Sequence, residues 1–338
     1  MRRAILSFCS AALFALLITP KAPQKLCSGF LPANDMKIPA APACAASAKM
    51  VCAARVSAQG VSEDKFNEVL DRIEALYGPE IAARGGRLEI NRLWDDPTVN
   101  SSANRDGNRY VLNMYGGLAR HDSITQDGFA LVACHELAHH IGGAPKISGE
   151  WATNEGQSDY YAALKCLRRV FTDDGSKSFT RKSGSDPVAE KACAAQYSSA
   201  SERALCARIT MAGSSVTGLF QALHHESKAP RFDTPDPAVV SQTDDDHPAT
   251  QCRLDTYFQG SLCTQPVSKK VSDKNPATGT CTRSQGFEVG LRPLCWYKPP
   301  ASERQLEIAR FGAPASSVKE SLSKSAAFSQ LDGASLWR

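Results

Sequence analysis

Between Thr125 and His140 the chain reads as a helix closed by Gly142-Gly143, and that helix carries His135-Glu136-Leu137-Ala138-His139. Histidines four residues apart on a helix project from one face, so His135 and His139 can grip a single ion. Glu136 lies beside the first histidine, where a carboxylate can take a proton from an activated water. A catalytic zinc keeps three protein ligands and an open position, so this helix needs a partner that brings one more ligand. The fold must therefore pack a second element against one face of this one.

The sequence offers such an element. A second helix is expected from about Trp151 to Val170, and within Asn154-Glu155-Gly156-Gln157-Ser158-Asp159 the two acids sit one turn apart on a shared face. Glu155 can coordinate the ion. Asp159 can accept the free ring N–H of His135 or of His139, fixing the tautomer. Zn2+ is the cofactor this donor set predicts, with His135, His139 and Glu155 as ligands.

His-Glu-x-x-His followed by Glu-x-x-x-Asp on a second helix resembles the gluzincin metallopeptidases, and Asn154 to Asp159 is similar to the thermolysin form of the motif. That resemblance implies Glu155 as third ligand, Glu136 as general base and Asp159 behind His135. Downstream, His247-Pro248 through Arg253 resembles a segment of the family that contains HtpX and the CAAX prenyl proteases. It implies a catalytic His247 near the site, stabilising the tetrahedral intermediate, and an Arg253 that holds the site's carboxylates. The spacing from His139 to Glu155 is shorter than in those membrane enzymes, and thermolysin's own downstream histidine motif is missing. The chain thus looks like a soluble, exported relative of the HtpX type.

Other candidates compete for these roles. His224 and His225 rival His247, and Tyr115, Tyr160 and Tyr257 are alternative oxyanion donors. His140 reads as a capping or surface residue, because it lies about 100° around the helix from His139. Asp244-Asp245-Asp246 reads as an exposed acidic turn, lacking the ligand spacing of a calcium loop.

Elsewhere the pattern is α+β. Ser62 starts a helix that Gly78-Pro79 is expected to stop. Arg87 to Trp94 alternates as a strand, and Thr98–Asn104 and Asn108–Tyr115 flank the turn dipeptide Asp106-Gly107. The expected fold is zincin-like, a small mixed or antiparallel sheet with an active-site helix, a ligand-bearing helix and a disulfide-stapled C-terminal region. The strand Asn108–Tyr115 is expected to border the cleft and to bind an extended peptide by strand addition, with Tyr110, Asn113 and Tyr115 as substrate contacts. Residues from Cys193 to His225 read as largely helical, and those from Glu226 to His247 as a loop.

Arg2 and Arg3 precede an apolar stretch from Ala4 to Ile18, shorter than the ~20 residues of a spanning helix, so the start reads as an export signal and no stable transmembrane anchor is expected. Cleavage candidates lie at Ala43-Cys44-Ala45 and Ala46-Ser47-Ala48. Residues 1–48 form the expected leader, 60–263 the catalytic domain, and 264–338 a C-terminal extension, partly flexible, with a helix from about Ala301 to Phe311. The chain has 12 cysteines, as exported proteins with disulfides do. Cys193/Cys206, Cys252/Cys263 and Cys281/Cys295 fall in local pairs, a spacing that does not fix the connectivity, while Cys134 reads as a core thiol, a bond to Cys166 being the second choice. The net charge of +4 is spread along the chain and leaves no basic patch for nucleic acid.

Together these features predict a secreted or periplasmic zinc metalloendopeptidase acting on a peptide or protein substrate. The rival expectations are a non-catalytic exported binding or adhesion protein on the same scaffold, and a zinc hydrolase of a non-peptide bond.

Overall fold

The computed structural model describes residues 29–40, 60–172 and 186–303. The expected export signal, both cleavage candidates and the expected helix beyond Glu303 lie outside these residues.

Helix α1 (Glu63–Ala82) starts at Ser62, whose hydroxyl accepts from the Lys65 N–H, and buries Phe66, Val69, Leu70, Ile73 and Tyr77 along one face. It does not stop at Gly78-Pro79. Pro79 sits inside the helix, and the burial of Ile81 in the core holds one more turn in place. Strands β1 (Arg87–Leu93), β2 (Ser101–Asp106) and β3 (Arg109–Tyr115) then form a three-stranded sheet in the order β1-β3-β2. β2 and β3 are the expected hairpin around Asp106-Gly107, and β1 lies parallel to β3, so the sheet is mixed.

A short helix α2 (Gly116–Ala119) leads to α3 (Gln126–Ile141), capped by the Thr125 side chain and buried on all sides from Asp127 to Ile141. The second helix begins four residues later than expected. α4 (Glu155–Tyr161) opens at Asn154, whose side chain accepts from the Gln157 N–H. It continues through a π-helical turn (Ala162–Cys166) into α5 (Leu167–Thr172). Helices α6 (Pro187–Gln196) and α7 (Ala200–Leu223) account for the helical stretch expected after Cys193, and α8 (Thr250–Leu262) carries Arg253 and Tyr257. The described residues form an α+β fold with helices packed on a small mixed sheet, and among them no helix is long and apolar enough to cross a membrane.

Four disulfides join Cys134–Cys166, Cys193–Cys206, Cys252–Cys295 and Cys263–Cys281 among the described residues. Two expectations change. Cys134 is not a free thiol, because α3 and α5's preceding turn bring its Cα within 5.6 Å of that of Cys166. The local pairs Cys252/Cys263 and Cys281/Cys295 do not form, since α8 holds its two cysteines at opposite ends and each reaches across to the later segment. That segment is folded against the rest: Trp296 is fully buried, and its indole N–H donates to Thr256 Oγ1 at 3.0 Å.

Candidate metal centre

α3 and α4 are locked end to end before any side chain of the centre is placed. The carbonyls left open at the C-terminus of α3 are taken up by the turn into α4: the Thr153 N–H donates to His139 O at 2.9 Å, and Gln157 Nε2 donates to Gly142 O at 2.9 Å. Asn154 Nδ2 donates to Asp244 O and to Asp245 Oδ1. The acidic turn expected to be merely exposed therefore anchors the residue that caps the ligand helix.

This packing brings His135, His139 and Glu155 together, with one ligand atom from each lying within 4.8 Å of the others. His135 Nε2 is 3.2 Å from Glu155 Oε2, and His139 Nε2 is 3.7 Å from Glu155 Oε1. The far ring nitrogens are both engaged. His135 Nδ1 lies 2.7 Å from Asp159 Oδ1, and His139 Nδ1 lies 2.8 Å from Thr153 O. With those nitrogens protonated, both Nε2 lone pairs face the shared space.

Some of the buried polar atoms without a hydrogen-bond partner mark that space. They include His135 Nε2, both carboxylate oxygens of Glu155 and Glu136 Oε2. Orphaned acceptors that converge in a buried site carry a large desolvation cost, which a cation would offset. Two imidazoles and a carboxylate fit a divalent metal of the zinc type. A second cluster, Asp236 with Cys252 and Cys295, does not fit, because both sulfurs are consumed in a disulfide.

Glu136 has its Oε1 bonded to Ser101 Oγ at 2.6 Å, and burial pushes its carboxyl up to about 7. Burial also works to raise Glu155, but the neighbouring His139 and His135 outweigh it and bring Glu155 down to about 2. The two carboxyls are thus separated in proton affinity by what faces them.

Asp159 is the hub of the supporting shell. Its Oδ1 receives His135 Nδ1, Arg253 Nη2 and the Tyr257 hydroxyl, each at 2.7 Å. Arg253 is fully buried and stacks over Phe30 and Phe220. His247 Nε2 stands 3.4 Å from Glu155 Oε2 and donates to Gly29 O at 2.8 Å.

Several expected residues are placed elsewhere. β3 is the central strand, so both of its edges are taken and it has no free edge for an added peptide. Tyr110 packs on Arg105 and His140. Asn113 bonds to Asn91 and Ser102 on the sheet. Tyr115 precedes α2 as its N-cap. None of the three is brought to the metal centre. His140 is buried, stacked on Trp151, with Nε2 facing Val111 O; it is neither ligand nor surface residue. His224 pairs with Thr250 at the end of α7, and the Tyr160 hydroxyl is bound to Gly290 O.

Ser101 and Asn100 were not singled out from sequence. A serine at the mouth of a β-strand has no distinguishing neighbour in one dimension; only the crossing of β2 over α3 puts it on Glu136. Tyr257 had a weak signal, standing four residues after Arg253 and so on the same helix face.

Compared with protein-family models, with curated proteins and with solved structures, the chain has no match in any of the three.

Proposed function

We propose that the chain is an exported zinc-dependent metallopeptidase, with His135, His139 and Glu155 as ligands and Glu136 as general base. The reading is carried by one observation. Partnerless ligand atoms of His135 and Glu155 converge with His139 beside a second carboxyl, that of Glu136, which burial pushes up to about 7.

Zinc bound by these three residues would supply Lewis acidity, which lowers the pKa of water and polarises a carbonyl. The protein's own groups do the rest. Glu136, steadied by Ser101, takes a proton from the attacking water and returns it to the departing nitrogen. His247, whose Nε2–H already serves a peptide carbonyl, donates to the oxygen on which charge develops. Asp159, Arg253 and Tyr257 keep His135 in the tautomer that presents Nε2. Zincin likeness of the fold and the kinship to the HtpX type rest on the motif and on this local geometry. The four disulfides support an oxidising compartment, periplasmic or extracellular.

Metal analysis combined with a peptide-library assay tests the reading. Wild-type protein should carry about one zinc per chain, and turnover, once the cleft is open to substrate, should be lost to a chelator. Glu136→Gln should keep the zinc and lose at least about a thousandfold in turnover. Glu155→Ala should lose the zinc, and unchanged metal content in that variant would remove the third ligand from the proposal.

A further inference from the structure

Every residue of the metal centre is shut off from solvent: His135, His139, Glu136 and Glu155 are each at most 1% exposed. The cover is the chain itself. Gly29 to Ile38 runs antiparallel along the entry to β2, with Lys37 bridged to Thr98 and the Ile38 N–H donating to Pro97 O. The segment thus pairs with the chain leading into β2 through one isolated antiparallel bridge and a few backbone hydrogen bonds, the last of them to Ser101.

Its register over the centre is specific. The Gly29 carbonyl accepts from His247 Nε2 at 2.8 Å, and the Phe30 carbonyl accepts from Arg253 Nη1 at 3.1 Å. The Phe30 N–H donates to Ser101 O at 2.9 Å, from the residue whose hydroxyl holds Glu136. Asn100 clasps Leu31 from both sides, accepting from its N–H at 3.0 Å and donating to its carbonyl at 3.2 Å. The Phe30 ring is fully buried, edge-on to His135 at 4.9 Å and tilted against Phe220 at 5.4 Å. Gly29 lies flat on the strand, for a Cβ there would meet Asn100 Oδ1 and Ser101 O at 2.7 Å.

We propose that Gly29–Leu31 occupies the substrate-binding cleft in the register of a substrate, with the Gly29–Phe30 peptide at the reacting position. The full chain is then held latent until this segment leaves. The same contacts name the substrate class: an extended peptide with glycine before the reacting bond and a large apolar residue after it. This rests on the metallopeptidase reading for what the cleft does. The occupancy itself does not need the metal and is tested without it.

The segment competes in cis at an effective concentration of roughly millimolar, so a free peptide should be excluded from the intact chain. The probe is a fluorescein-labelled synthetic peptide of sequence Ser28 to Asp35, titrated by polarisation against metal-free full-length protein. Wild type should bind it weakly. Gly29→Val, which pushes the segment off Asn100 and Ser101, should bind at least about tenfold tighter, and Phe30→Ala should do likewise. A probe with aspartate in place of the phenylalanine should bind neither variant. Equal affinity in wild type and both variants would overturn the proposal. So would loss of the folded state in both, which would make the segment a structural strand. Absence of zinc from folded wild type, or absence of turnover from a folded variant in which the segment is displaced, would sink the metallopeptidase reading and leave the binding result standing.

Discussion

The Glu136 carboxylate has one oxygen bonded to Ser101 and the other without a partner, facing the ligand cluster. That asymmetry aims the free oxygen, so Ser101 acts on any reaction through the base and not by touching substrate with its side chain. Ser101→Ala leaves Glu136 Oε1 unsatisfied in a buried site, which costs about 1–3 kcal/mol. Turnover should fall about tenfold or more at unchanged zinc content, with kcat taking the loss and KM little changed. Ser101→Thr, which keeps the hydroxyl, should recover most of it. Equal loss in both would show that the hydroxyl is not what matters. The ligand pair, the base and the third ligand were all legible as residue types at fixed spacings. Which histidine Asp159 serves was open to either, and the answer came from packing: the Thr153 carbonyl already occupies His139 Nδ1, leaving Asp159 to His135.

At the scale of elements, α4 is held by contact with the C-terminal segment as well as by its cap. A Cβ at Gly156 would come within 2.2 Å of the Trp296 ring, so the helix backbone itself rests on the indole. Gly156→Ala should therefore destabilise the protein by about 1–3 kcal/mol, although alanine favours a helix. Urea denaturation followed by tryptophan fluorescence measures it, and a stabilised variant would show that the contact is not tight. Because Gly156 follows Glu155, zinc affinity should fall with it. The hairpin, α1 and α3 were readable from caps, turn dipeptides and apolar spacing. The sheet order was not. Local pattern marks strands but does not say which one β1 joins, and its parallel pairing makes β3 central and leaves β1 and β2 as the outer strands.

For the molecule as a whole, Cys252–Cys295 spans 43 residues and ties the C-terminal segment to α8. Removing it with Cys252→Ser and Cys295→Ser together should cost about 2–4 kcal/mol, chiefly by freeing the unfolded chain. The shift in urea midpoint reads this, and the emission of buried Trp296 should move to the red. No change in midpoint would mean that Trp296 packing alone holds the segment. The cysteine count announced a stapled chain, and pairing of neighbours in sequence holds for Cys193–Cys206 but not for the four later cysteines, because thiols pair by Cα distance and direction.

By itself the sequence determined the chemistry available: two histidines and a glutamate on one helix, a further glutamate and an aspartate one turn apart on the next, and cysteines in number. Those follow from helical periodicity, which is local. Only the tertiary structure decided which groups meet. It set Ser101 on Glu136, joined Arg253 and Tyr257 on Asp159, and laid Gly29–Leu31 over the centre. Contacts between residues 30 and 253, or 101 and 136, depend on how several elements pack at once, and no spacing along the chain encodes them.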